Sequence, residues 1–538
     1  MMSNPLSSFA LKPASAASLY RWGIFPLWAL LTATLLFRPI IPLDETRYLS
    51  VAWEMWQRAD FLVPYLNGQP YSHKPPLLFW LIHAGWSVFG INDWSPRLVG
   101  PLCSLLNLIL IRTLAAKLWP NSPKVAWTSP WFLLGTLPWT LFATATMFDT
   151  LLTDCVLVGM LGLIAASQTA ARLLGWSCFA LATGLGLLAK GPVVLLYLLP
   201  CALTVRFWLQ TVPERWFIHL VIALSAGMGL ALCWAIPAAA AGGENYAGAI
   251  LWHQTADRAA GTRIHARPFF LYLLFLPLLT FPWISWRPLW RGGQWQLIKS
   301  DPALRFCWLW LLSAFLLFSL LPSKQLHYLI PALPAFALIC ARYSSLPQTI
   351  GKRALESLPG LLLLAIGGLL ALIPSLPGLA DLRWAQSIEP TWGLSVAAIA
   401  LTLTLYALVR GRLPIAAIAA AMTVSICIGF FYFFRDAGSQ YDLRPAANFL
   451  KQLDEQQIPN AFIGDYQGQL HFLGRLTQPI AVIQPQQAKD WYRQHPNGYL
   501  LSVNREKPER AGFLQAHREY WLAFQNADDR LKPKPHKP

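Results

Sequence analysis

Charge is scarce in this chain. Asp, Glu, Lys and Arg make up 12% of its 538 residues, where a soluble domain carries roughly a quarter. With 55% hydrophobic residues, that shortage excludes an ordinary soluble protein and reads as an integral membrane protein. Acid is scarcer still: 25 Asp and Glu stand against 42 Lys and Arg, a formal charge of +17. In a bilayer protein such an excess follows from Lys and Arg retained in cytoplasmic loops, so it does not call for a nucleic-acid partner. Cysteine pairing is also missing. The eight cysteines, among them Cys103, Cys155, Cys233 and Cys340, lie in apolar runs without CxxC spacing or histidine pairing, which argues against a disulfide framework or a zinc site. No repeat of 20–50 residues suggests a solenoid.

What is abundant is apolar sequence in lengths that cross a bilayer, about 20 residues each. Such runs lie near 19–38, 97–117, 125–147, 150–169, 171–189, 191–210, 216–240, 268–288, 304–322, 326–342, 355–378, 390–410 and 413–434. They predict about thirteen spans. The first, Leu19 to Phe37, is too long for a signal-peptide core and lacks a clear cleavage site, so it reads as a retained anchor. The 26 Trp and 16 Tyr suit headgroup depth. One stretch, "PPLLFWLIHAGWSVFG" from Pro75 to Gly90, is short and carries His83. Reading it as an interfacial helix, with a cytoplasmic N-terminus, puts the basic connectors at Lys117 and Lys124, Arg206 and Arg215, Arg287 to Arg305, Lys352 and Arg353, and Arg410 and Arg412 all inside. External loops then cover about 38–96 and 241–267.

Beyond span thirteen the chain turns polar. "RPAANFLKQLDEQQ" and "QQAKDWYRQH" read as helices; "NAFIGDY", "PIAVI", "GYLLSV" and "YWLAF" read as strands. Residues 439–538 are therefore expected to form a small external α/β domain, following a transmembrane part at 1–438. The tail "DDRLKPKPHKP" reads as disordered.

With this topology the unusual polar residues collect on one side. Asp44, Glu45 and Arg47 open the first external loop, with His73 and Lys74 later in it. Asp149 lies between spans three and four; Arg258, Arg263, His265 and Arg267 lie in the second loop, and Lys324 between spans nine and ten. Each has a structural alternative. Asp44 and Asp149 would serve as helix N-caps, the second-loop arginines as a solvated surface, and Lys324 as a helix-end lysine reaching to the interface. Independent capping does not predict that acids and bases gather on one face. Together they suit a phosphate cradle edged by carboxylates, the parts needed to move a sugar from a lipid phosphate.

These residues also carry a resemblance. "DETRYLSVAWEMWQRADFLVPYLNGQPYSHKPPLLFW" resembles the first external loop of GT-C glycosyltransferases of the protein-mannosyltransferase type, most like the lipid A aminoarabinose transferases. "FDTLLTDCVLVGML", "GLGLLAKGPVVLL", "DRAAGTRIHARPFFLYLLFLPLLTFPW" and "LPSKQLHYLIPALPAFAL" occur in the same order, so the resemblance covers about residues 19–345. It implies a GT-C fold and inverting transfer from a polyprenyl phosphate, commonly undecaprenyl phosphate, on the periplasmic side of a bacterial inner membrane. The implied catalytic acids are Asp44 and Asp149. The implied phosphate-binding residues are Lys74, Tyr328 and Arg258, with Arg267 as the fallback arginine; Glu45, Arg47 and Lys324 join the substrate-binding set from their place in the charged cluster. Lys190, in "LAKGPV", matches a further family lysine. Where relatives place a metal-binding glutamate this chain has His73, so a divalent cation stays possible without a metal site being assigned. The implied donor is an undecaprenyl-phosphate-linked aminoarabinose and the acceptor lipid A. Another sugar or acceptor on the same fold stays open, as does an anionic-lipid transporter or flippase.

Overall fold

The computed structural model describes residues 13–250, 267–290, 294–346, 353–379 and 382–531. Among these, ten helices are long and apolar enough to cross a bilayer, from Ser18–Leu36 to the helix that starts at Ile415. The other three expected spans are interrupted. Residues 125–147 form Pro123–Leu134 and Leu137–Phe142, and 191–210 contain the short helix Val193–Leu203. Residues 268–288, with Pro277, Pro282 and Pro288, fold as one-turn pieces such as Leu271–Leu274 and Leu276–Leu279.

Six helices frame the end of the bundle where the acids gather: α1 (Ile24–Ala33), α2 (Asp44–Arg58), α3 (Leu77–Phe89), α4 (Trp94–Leu118), α5 (Phe148–Ala166) and α6 (Arg172–Lys190). The 13 residues of α3 reach only about 20 Å, short of the ~30 Å hydrocarbon core. Its His83 Nε2 lies 2.8 Å from the Ala52 carbonyl of α2, which lays α3 against α2. α5 and α6 pack backbone to backbone. A Cβ on Gly175 would stand 2.2 Å from the Ala166 amide nitrogen, so glycine there sets the contact distance.

The bundle has two chemically distinct ends. At one, Arg97 of α4 donates to the Arg38 carbonyl at 2.6 Å. At the other, Trp119, just past α4, donates to Asp301, which also accepts from Arg342 Nε at 2.7 Å and caps the helix Pro302–Leu320 through Leu304 N. The 25 residues of α4 hold these ends about 37 Å apart. Lys124, whose Nζ donates to the Ser344 carbonyl, belongs to the second end, while α2 and the start of α5 belong to the first.

After Ala437 the chain forms helix α7 (Arg444–Glu455) and a five-stranded sheet of β1 (Asn460–Ile463), β2 (Ala481–Ile483), β3 (Tyr499–Asn504), β4 (Phe513–His517) and β5 (Tyr520–Gln525). The order is β2-β1-β3-β5-β4, parallel across β2, β1 and β3 and antiparallel from β3 onward. Strand β4 is absent from the sequence-based expectation. Its hairpin turns at Arg518, with φ of 54°, where the usual signal would be Gly or Asn.

This region is fastened to α2. Trp53 Nε1 donates to the Leu476 carbonyl at 2.8 Å, and Asn67 exchanges two hydrogen bonds with Ile480, at 3.0 and 2.8 Å. Beneath them His471 is 1% exposed, its Nδ1 2.8 Å from the Tyr466 hydroxyl and its Nε2 3.9 Å from Glu54. Burial pushes His471 down to about 4 and pushes Glu54 up. Above pH 6.5 the imidazole is neutral whether the chain is folded or unfolded. As pH falls from 6.5 to 4, the unfolded chain takes a proton that the folded one refuses. Stability is therefore lost through that window, by about 3 kcal/mol at its lower end. Glu54 works in the opposite sense, so the comparison that isolates the imidazole is His471→Gln. Melting followed from pH 7.5 to 4.5 should fall more steeply for wild type than for His471→Gln, and parallel curves would contradict the assignment.

Candidate active site

Consecutive residues on a helix point about 100° apart, and the DE pair at the start of α2 shows the consequence. The Glu45 side chain is 4% exposed and that of Asp44 is 44% exposed. Glu45 turns inward and accepts from the amides of Ile41 and Thr146, both at 2.8 Å, with Arg38 Nη2 3.6 Å away. Arg38 is itself buried and donates to the Thr144 hydroxyl and carbonyl, at 3.2 and 3.0 Å. Glu45 thus braces the end of the first span against the loop that leads into α5. The charged cluster read from the sequence counts Glu45 among the substrate-binding residues, but its oxygens face protein donors.

Asp44 does not cap α2. The N-cap is Leu43, without a side-chain bond, and Asp44 Oδ1 instead accepts from Arg47 Nη2 and from the Tyr48 hydroxyl at 3.4 Å. Burial pushes the Tyr48 phenol well up, so it serves as a donor. Tyr48 lies within electrostatic reach of both Asp44 and Asp149, and its ring meets Phe148 edge-on at 4.9 Å.

Asp149 does not cap α5 either. Met147 is the N-cap, and Asp149 Oδ1 accepts from Lys190 Nζ at 2.5 Å with both side chains buried. Lys190 is the last residue of α6, and its Nζ also stands 4.9 Å from the Tyr328 ring. Tyr328 is held by its carbonyl, which accepts from the Tyr197 hydroxyl. Lys74 Nζ lies 5.6 Å from the ring of Phe148, the residue immediately before Asp149. The His327 ring, 4.9 Å from Tyr328, feels the charges of Asp149, Lys190, Asp44 and Lys74 together. Five groups from well-separated stretches of chain therefore share one locality. Sequence alone assigns nothing to His327 and no role to Lys190, because nothing local marks a partner 41 residues away.

Lys324 donates to the carbonyls of Leu321 and, at 3.1 Å, Arg267, which is the helix-end role the sequence allows as its alternative. Arg267 is exposed, and its amide donates to the Pro322 carbonyl at 3.1 Å. Arg258, with Arg263 and His265, lies outside the described residues. His73 stacks on Tyr71 with ring centroids 5.2 Å apart. Among the described residues no three His, Cys, Asp or Glu side chains converge as a metal set.

The site holds two carboxylates beside cations and a neutral phenol donor at one end of a bundle. That arrangement can bind an anionic headgroup and stabilise positive charge beside it. Residues 73–239 match the family model described as dolichyl-phosphate-mannose-protein mannosyltransferase. The chain is 28% identical over 357 residues to an undecaprenyl phosphate-alpha-4-amino-4-deoxy-L-arabinose arabinosyl transferase of Pectobacterium atrosepticum, covering 66% of this chain and 64% of that one. It is 30% identical over 359 residues to the protein of the same name in Pseudomonas paraeruginosa, covering 65% and 62%. The matched part thus spans under two thirds of these relatives' lengths. ArnT of Cupriavidus metallidurans superposes with a TM-score of 0.73 when bound to undecaprenyl phosphate and 0.75 in its apo state. The bound form is 19% identical, over 97% of this chain and all of that one. The chain resembles the aminoarabinose transferases in sequence over about two thirds of its length, and along nearly all of it shares the GT-C fold of ArnT.

Proposed function

We propose that this chain is an inverting glycosyltransferase that moves 4-amino-4-deoxy-L-arabinose from undecaprenyl phosphate to a phosphate of lipid A. The observation that carries this reading is the gathering of Asp44, Lys74, Asp149, Lys190 and His327 at one end of an apolar bundle. A lipid-linked phosphate can reach that place while its tail stays in the bilayer. The names of the relatives, and the undecaprenyl phosphate bound to ArnT, support the donor. In this reading the site faces the periplasm of a bacterial inner membrane and the N-terminus is cytoplasmic. Residues 1–438 form the catalytic part and 439–538 a periplasmic domain.

An acceptor oxygen attacks the anomeric carbon from the face opposite the donor phosphate. The bond from that carbon to the phosphate oxygen breaks, and its electron pair leaves on undecaprenyl phosphate. Lys74 and Tyr328, with Arg258 or Arg267 assigned from the resemblance alone, hold the phosphate as its charge grows. Asp44 stands beside the sugar and offsets the positive charge that develops on its ring. A lipid A phosphate is already anionic and yields no proton, so Asp44 works by charge and position; a hydroxyl acceptor would require it as a base.

The test is transfer by the purified chain in lipid vesicles, with donors carrying aminoarabinose, mannose or a uronic acid and with lipid A or peptide acceptors, read by product mass. Aminoarabinose on lipid A is the expected product. Another sugar or a modified peptide would overturn the substrate assignment, and no transfer from any donor, with lipid crossing the bilayer instead, would overturn the enzyme.

A further inference from the structure

The C-terminal region reaches the acid end of α2 through a short loop between β1 and Phe472. Arg47 donates from Nη1 to Gln467 Oε1 at 3.0 Å, while its Nη2 holds Asp44. One guanidinium therefore bridges Asp44, in the membrane part, and a residue 420 positions after Arg47 itself. The orientation of the Gln467 amide is fixed from behind. Its Nε2 donates to Asp465 Oδ2 at 2.5 Å, which turns the amide oxygen toward Arg47.

The loop is also pinned. Gln467 N donates to Gln469 Oε1 at 3.0 Å, Ser50 of α2 donates to the Gly468 carbonyl at 2.5 Å, and Phe472 N donates back to Ser50 Oγ at 3.1 Å. Gly468 has φ of 73°, in the left-handed region that favours glycine, and it lies against α2, where a Cβ would stand 3.5 Å from Ser50 Cβ. A second tie comes from the β4–β5 hairpin, where Arg518 donates to the Pro42 carbonyl two residues before Asp44. An arginine that neutralises a carboxylate can also pull it out of register. An acceptor on its far side decides where the guanidinium rests.

We propose that Gln467 is a positioning residue of the transfer site, acting through Arg47 to set the place of the Asp44 carboxylate, so that the C-terminal region supplies part of the active site. This rests on the proposed glycosyltransferase activity. Gln467→Met keeps the length of the side chain and removes the acceptor. It is expected to lower kcat about tenfold, the order of one hydrogen bond to a charged donor, with the donor KM and the melting temperature little changed. Gly468→Ala, which strains the left-handed backbone next to Gln467, is expected to do the same or worse.

The deciding measurement is a double-mutant cycle. In an Arg47→Met background, Gln467→Met should cost nothing further in kcat, because its route to Asp44 is already gone. Losses that multiply, a silent Gln467→Met, or a change in KM alone would each overturn the proposal. Asp44→Asn, assayed alongside, separates the two failures. If it abolishes transfer while Gln467→Met is silent, only the positioning role falls. If it leaves transfer intact, or wild type transfers nothing, the reading of the site falls and takes this proposal with it.

Discussion

Asp44→Asn is expected to lower kcat for sugar transfer by about 10²- to 10⁴-fold while leaving the donor KM close to wild type. The amide matches the carboxylate in shape and can still accept from Arg47 and Tyr48 through its oxygen. What it loses is the negative charge. Asp44 caps no helix and its side chain is 44% exposed, so the fold does not depend on it and the melting temperature should hold. Donor affinity should hold as well, since the phosphate is assigned to Lys74, Tyr328 and an arginine and not to Asp44. The size of the loss also discriminates between acceptors. A phosphate nucleophile needs only charge stabilisation, which places the loss toward the lower end with little dependence on pH. A hydroxyl needs a base, which places it toward the upper end. Turnover within twofold of wild type would remove Asp44 from the chemistry.

The second large effect belongs to Asp149→Asn, and it is an effect on stability as well as on rate. Asp149 and Lys190 form a buried pair at 2.5 Å, with side chains 3% and 8% exposed. Removing one partner of such a pair leaves the other charge buried and uncompensated, at a cost of about 3–5 kcal/mol. Asp149→Asn should therefore melt well below wild type. Asp149→Asn combined with Lys190→Met removes both charges and should recover most of that loss, because a pair replaced as a unit often costs little. Activity should stay lost in the double variant, since the pair lies against Tyr328 and beside Lys74. Recovery of both stability and turnover would make the pair a scaffold; recovery of neither would mean the replacement packs badly.

These two acids show what the sequence could and could not reveal. That both are unusual was legible, because an ionisable residue beside an apolar run is costly without a partner or a cavity. Their exits from capping were not, because capping and pairing place the same residue at the same helix position. The inward turn of Glu45 was hidden for a related reason. It is fixed by Arg38 and by the Thr146 amide 101 residues on, a contact no local pattern encodes. The spans were legible as hydropathy except at three runs that fold as shorter helices, and α7 was legible from its amphipathic repeat. Strand β4 was not, since its turn uses arginine in a left-handed conformation. His327 escaped notice because a histidine between Leu and Tyr in an apolar run looks like core, and only the approach of Asp149, Lys190, Asp44 and Lys74 gives it meaning.

The proposed transfer requires the cations and acids brought together at one end of the bundle to make a single site for a polyprenyl phosphate. The most direct measurement of that site is the binding of undecaprenyl phosphate to the purified protein, counted by native mass spectrometry, for wild type and for a Lys74→Met variant that melts normally. One bound lipid is expected in wild type, with affinity weaker by at least about tenfold in Lys74→Met, the loss of one charge-assisted contact to phosphate. Equal binding by the two proteins, or no bound lipid in wild type, would contradict it.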